Sequence, residues 1–230
     1  MADRRTLTDT DGTPIATFYD VTRGGRRVAD LLALEVPVKR ALAPILAQLK
    51  GYRVAGPVEL GRALIEAGGR PVRHAHVYSH DLKTRPEPEP PPGITLTPVD
   101  RAADELVPAY LAAHPPDHPD YVVIADEDSA AWLRSLLAGP LLGASGLAIA
   151  DGAVVGAILV HEVEPPLGGP WVMELFRDPG CRGVGRALLE RALSRTTGSL
   201  GLVVTEGSPA ARLYERLGFR RVLSTWSVDL

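Results

Sequence analysis

Cysteine is nearly absent: Cys181 is the only one in 230 residues, which excludes an internal disulfide framework and a thiolate metal cluster. Lysine is confined to Lys39, Lys50 and Lys83. With the many Ala, Gly and Pro, that bias reads as GC-rich coding rather than function. No apolar run approaches the ~20 residues that a bilayer span needs, and no charged segment followed by an apolar one opens the chain. A cytoplasmic location away from membranes is expected. Net charge is only −3, so no global field draws the protein to nucleic acid. The length allows one large domain or two small ones, and a hydrophobic fraction of 45% with 23% charged residues is ordinary for a globular chain.

The sharpest break is Lys83 to Gly93, where Pro and Glu alternate; such a stretch builds no core and favours an extended, semi-rigid spacer. Three segments are expected: 1–82, a linker over 83–93, and 94–230. After the linker, Ile94 to Val99 has strand periodicity and Asp100 is expected to cap a helix through Leu111. A second helix restarts at Asp128 or Ser129. Gly146–Ala150 and Val154–Val160 flank Asp151-Gly152, a strong hairpin signal. Then follow a strand over Trp171–Phe176, a helix over Val184–Leu193, a strand over Leu202–Thr205, and a helix from Ser208 to Leu217. Gly218 stops that helix, and Arg221 to Val228 closes the domain as a final strand or pair of strands. A hairpin followed by β-α-β units implies a mixed, mostly antiparallel sheet flanked by helices, an α/β (α+β) fold. Before the linker the order is similar: strands near Ile15–Val21 and Val28–Leu34, helix Val38–Leu49, strand Tyr52–Ala55, helix Val58–Ala67. Leu64 to Val72 also echoes Leu213 to Val222, and the stretch reads as an abbreviated duplicate.

Gly180-Cys181-Arg182-Gly183-Val184-Gly185 lies between a strand and a helix, the basic recipe for anion binding. The first helical N–H groups have no intrahelical partners, the dipole is positive there, and glycine lets a ligand approach the backbone. Arg182 and Arg186 add charge. A P-loop fails, because Gly185 is followed by Arg186-Ala187 rather than Lys-Ser/Thr. A dinucleotide fingerprint also fails, because Leu188 stands where a third Gly or Ala is needed. Taken alone, the two glycines equally fit a tight turn with no ligand.

Leu175 to Leu189 resembles the first signature of the GNAT superfamily of N-acetyltransferases, Gln/Arg-x-x-Gly-x-Gly/Ala between the fourth strand and a long helix. Ser208 to Phe219 resembles the second, Asn-x-x-Ala-x-x-Leu-Tyr-x-x-x-Gly-Phe. The resemblance runs from about residue 94 to 230. It implies a GNAT-like fold and acetyl-coenzyme A as acyl donor. The pyrophosphate would sit on backbone amides of Gly180, Cys181, Arg182, Gly183, Val184, Gly185 and Arg186, and the pantetheine arm along Leu175, Phe176 and Arg177, with Ser208, Ala211 and Tyr214 completing the site. Two positions depart from the family pattern: Gly180 replaces the leading Gln or Arg, and Ser208 replaces Asn. By the same resemblance Tyr214 protonates the departing sulfur, and a primary amine accepts the acyl group by direct sequential transfer. A non-catalytic acyl-coenzyme A sensor is the alternative.

Acyl transfer to an amine also needs the amine neutral. Glu174, a charge inside the apolar run Trp171–Phe176, is costly to bury without a purpose and is the first candidate base; His161, Glu162 and Glu206 rank behind it. His74, His76 and His80 would share a strand face, yet no carboxylate or Cys pattern completes a metal set, and packed or surface histidines are expected. His114 and His118 flank a Pro-rich loop where acceptor specificity could reside. Cys181 reads as a small filler. The first copy has Glu35-Val36-Pro37 where the glycine loop would be and Ile65 where Tyr214 would be, so it is expected to be a structural half, in a monomer or homodimer.

Overall fold

The computed structural model describes residues 3–23, 25–81, 86–119, 126–163 and 168–230. The chain divides into two compact units, Met1–Val77 with Val222–Leu230, and Tyr78–Arg221. The division differs from the expected segments 1–82 and 94–230. The reason is hydrogen bonding: the last strand pairs with a strand of the first unit, so its end belongs there although it follows the second unit in sequence.

In the first unit, β1 (Asp3–Thr8), β2 (Pro14–Arg23) and β3 (Arg26–Leu34) form an antiparallel meander. Helix α1 (Val38–Gln48) then leads to β4 (Arg53–Pro57), parallel to β3 through Val28↔Arg53 and Ala29↔Val54. Helix α2 (Val58–Glu66) follows, and β5 (Arg70–Asp81) leaves the unit. The returning β11 (Arg220–Asp229) is antiparallel to β4, with Thr225↔Pro57 through Asp229↔Arg53. Ile15, Ile45, Leu60 and Val228 close this core without measurable exposure. Gly61 is required by its neighbour: a Cβ there would lie 2.2 Å from Trp226 Cβ.

In the second unit, β6 (Thr95–Thr97) precedes α3 (Ala103–Ala113) and α4 (Asp126–Leu137). The expected cap at Asp100 is displaced. Helix α3 begins at Ala103, where the Glu105 carboxylate accepts the Ala102 N–H at 3.2 Å. An antiparallel meander of β7 (Gly146–Ala150), β8 (Ala153–Val163) and β9 (Gly169–Arg177) follows. The turn at Asp151-Gly152 holds both residues at positive φ, +48° and +81°, as a tight hairpin with the native twist requires. Helix α5 (Val184–Arg195), β10 (Ser199–Thr205) and α6 (Ala210–Leu217) complete the unit. Val184, Leu188, Leu189 and Leu193 of α5 are buried, each worth about 1.5–3 kcal/mol of apolar transfer. Gly218 ends α6 at φ +97°, and Phe219 N–H reaches back to Tyr214 O at 3.0 Å, the left-handed cap expected for Gly.

The described part of the Pro/Glu stretch makes contacts with the second unit, to which it belongs. Glu87 ion-pairs with Arg195 at the end of α5, and Pro91 Cγ lies 3.2 Å from where a Gly183 Cβ would be, at the helix start. Lys83, Thr84 and Arg85 lie outside the described residues. No described helix is long and apolar enough to cross a membrane.

Candidate active site

Parallel strands β9 and β10 share one register pair, Gly201↔Trp171. Gly201 permits it, since a Cβ there would stand 2.2 Å from the Trp171 ring. A cleft of about 430 Å³ is lined by Val172–Arg177 of β9, Leu202–Val204 of β10, Ser208 and Tyr214. The β8–β9 register shifts between Leu159 and Val160, where β9 carries Met173 as the extra residue between Val172 and Glu174, and a bulge bends the strand that bears it.

At one end of the cleft, β9 runs into a turn that is hydrogen-bonded to itself. Asp178 Oδ1 accepts the Gly180 N–H at 2.7 Å, Asp178 O accepts that of Cys181, and Gly180 O that of Arg182. The Arg177 guanidinium donates to Asp178 O and Pro179 O, both at 2.8 Å. These three amides are engaged in the turn, so the open donors begin later. Gly183 takes φ +84° as the N-cap, and Ala187 is the first residue to bond back, to Gly183 O at 3.0 Å. The N–H groups of Val184, Gly185 and Arg186 precede that bond and have no intrahelical acceptor. Gly156 keeps this end close-packed: a Cβ there would lie 2.9 Å from both Phe176 O and Val184 Cγ1.

Of the expected donor-binding residues, Leu175, Phe176, Arg177, Gly185, Ser208 and Tyr214 line the cleft. Gly180, Cys181, Arg182, Gly183, Val184, Arg186 and Ala211 are not among its lining residues. Val184 is in the core, Cys181 and Ala211 pack against it, and Arg186 pairs with Glu190 at 2.9 Å. Backbone donors and lining side chains are different sets, which sequence spacing does not separate.

Tyr214 is buried against Tyr78 and Phe219, with ring centroids 6.3 and 5.9 Å apart. Burial, then the hydrogen bond of its hydroxyl to Glu215 Oε1 at 3.0 Å, raises the Tyr78 pKa above its ordinary value. Tyr78 is thereby a fixed wall behind Tyr214. Glu174 is half-buried, and Trp132 Nε1 donates to its Oε2 at 3.3 Å. The second-rank bases lie elsewhere. His161 is buried, its Nε2 bonded to Leu136 O at 2.9 Å, and burial lowers its pKa; Glu162 and Glu206 are exposed outside the lining. His114 and His118 do line the cleft. His74 stacks on Trp226 at 4.6 Å and His76 bonds Ser224 Oγ at 2.8 Å in the first unit, while His80 bonds Leu217 O at 3.1 Å in the second. The rings of His74 and His76 meet edge-on at 4.8 Å, so two of the three histidines are neighbours and His80 stands apart from them.

The acetyltransferase (GNAT) family matches residues 100–219. The chain belongs to that family. Among curated proteins none matches it. A GCN5-related N-acetyltransferase from Sphaerobacter thermophilus is similar in fold at 20% identity, over 100% of this chain and 80% of that one, with TM-score 0.69. Another from Kribbella flavida covers 99% of this chain and 89% of its own at 17% identity and TM-score 0.61. A tandem GNAT protein from the clavulanic acid biosynthesis pathway covers 96% and 79% at 14% identity and TM-score 0.58. GNAT membership makes the chain an acyltransferase by family, and the mixed, mostly antiparallel sheet with flanking helices is the GNAT fold.

Proposed function

We propose that this GNAT protein transfers an acetyl group from acetyl-coenzyme A directly to a primary amine. The observation that carries the reading is the β9–β10 cleft, which brings Gly185, Ser208 and Tyr214 together from two separated signatures. The residues present fit the donor. The unbonded amides at the start of α5 suit a pyrophosphate, and the edges of β9 and β10 suit the amides of a pantetheine arm. When bound, the donor supplies an acyl group activated as a thioester. Within the cleft, Tyr214 holds its phenol proton ready for the departing sulfur. Glu174 attracts the acceptor ammonium and orients it for deprotonation. The first unit, with the same element order as β7 to α6 but without the glycine loop, is a degenerate GNAT-like copy with a structural role; fold similarity over nearly the whole chain supports this.

The test is coenzyme A release in the presence of an amine panel. Turnover in wild type and its loss in Tyr214→Phe, with donor binding kept, support the reading. Donor binding with no turnover across the panel would sink it in favour of a sensor.

A further inference from the structure

The proposed reaction removes two protons from the acceptor ammonium. Tyr214 returns one equivalent to the coenzyme A sulfur, so one leaves to solvent through a group that must hold it briefly. A group suited to this task needs a lone pair open to the cleft and a path to solvent.

Helix α3 ends beside β9. Tyr110 packs edge-on against Phe176 at 5.4 Å, and His114, one turn later, lies 4.6 Å from the Tyr110 ring. Phe176 and Glu174 are two residues apart, which puts them on one face of a regular strand; Glu174 meets Trp132 of α4, and Phe176 packs in the core formed by α3 and α4. His114 therefore reaches the cleft from the Glu174 side. Its Nδ1 is 2.8 Å from Tyr110 O. A carbonyl only accepts, so Nδ1 carries the hydrogen and the neutral ring presents its lone pair at Nε2. The backbone thus fixes the tautomer. The other titratable or charged groups lining the cleft are His118 from the same loop, Glu174 and Arg177 from β9, and Tyr214 from α6.

We propose that His114 Nε2 is a proton acceptor for the amine, a role resting on the acyl-transfer reading above. His114 Nε2 first takes a proton from the acceptor ammonium and passes it to solvent, which frees the nitrogen lone pair. That lone pair bonds the thioester carbon as the C–S bond breaks, and the sulfur gains the Tyr214 proton. Tyr214 is reprotonated by the second proton that the nitrogen releases.

The experiment uses the full chain with saturating acetyl-coenzyme A and benzylamine, spermidine, L-lysine or glucosamine as acceptor. His114→Asn keeps a donor for the Tyr110 carbonyl and removes the basic Nε2. It should lower kcat about 10²-fold, leave the acetyl-coenzyme A thermal shift intact, and flatten the acidic limb of the pH–rate profile. Glu174→Gln should keep that limb. Wild-type kcat with an unchanged limb in His114→Asn overturns the proposal, as does a limb that vanishes in Glu174→Gln instead. The tautomer is read independently of turnover by ¹⁵N NMR: a bare Nε2 supports the assignment, and Nε2–H overturns it. A wild type that binds donor and turns over none of these amines fails the acyl-transfer reading itself, a result distinct from normal turnover in His114→Asn.

Discussion

The two units run through the same sequence of elements, a three-stranded meander, a helix, a parallel strand and a helix, and diverge at one joint. From β9 to α5 the chain passes through a six-residue turn ending in left-handed Gly183; from β3 to α1 it passes through Glu35-Val36-Pro37, with Pro37 as the cap at φ −56°. The inner strands differ as well. In the first unit a Cβ on Gly56 of β4 would meet Leu32 O of β3 at 3.3 Å and Leu32 Cβ at 3.5 Å, so β3 and β4 stay close beyond their ladder. In the second, the residues past Trp171 and Gly201 line a cleft. The same element order therefore keeps β3 against β4 in one unit and leaves a cleft between β9 and β10 in the other, and the glycines and the strand separation make the difference.

The largest effect that sharpens this contrast is Tyr214→Phe. Removing the phenol should lower kcat by about 10²-fold or more, the usual scale for a general acid, in steady-state coenzyme A release. Ile65→Tyr at the corresponding place in the first unit should create no activity; measurable turnover after Tyr214 is removed would break the contrast. Next is donor binding. Gly183→Val forces a β-branched residue to φ +84° and toward Pro91, a strain of about 1–3 kcal/mol. The thermal shift by acetyl-coenzyme A should shrink or vanish, whereas Pro37→Ala in the first unit should leave it unchanged.

The third test is acid. Burial pushes the Asp229 carboxyl up, but hydrogen bonds from Arg53, Arg70 and Arg26 outweigh it and hold the pKa at about 2. A folded value below the unfolded 3.8 stabilises fully above pH ~4 and is lost as pH falls toward ~2. The first unit should lose about 2 kcal/mol across that window, visible as earlier hydrogen exchange in β4 and β11. Asp229→Asn should be less stable than wild type at neutral pH and converge with it near pH ~2; parallel curves would refute the assignment. The smallest effect is Glu87→Ala. Its ion pair with Arg195 is exposed on both sides, so unfolding free energy should change by at most about 1 kcal/mol.

Much of the second unit was legible because its signals are local. Asp151-Gly152 and Gly218 dictate backbone conformations within a few residues, and the expected hairpin and helix stop stand where they were read. The caps were less legible: Asp100 competes with Glu105, whose longer side chain reaches the Ala102 N–H. His161 looked usable at a strand end, and burial against the Leu136 carbonyl makes it a core residue. The spacer between 83 and 93 was read by composition, which does not reveal that Glu87 and Pro91 find partners along α5.

The sequence by itself determined the two signatures, their order and the strand–helix joint, because turn chemistry and helix starts depend on neighbours in the chain. Only the tertiary structure decided that Gly185, Ser208, Tyr214 and His114 share one cleft, that the amides of Gly180 to Arg182 are engaged in their own turn, and that β11 returns to the first unit. Those outcomes depend on pairing and packing between residues far apart in sequence, where a shift of one residue in register changes which side chain faces the cleft.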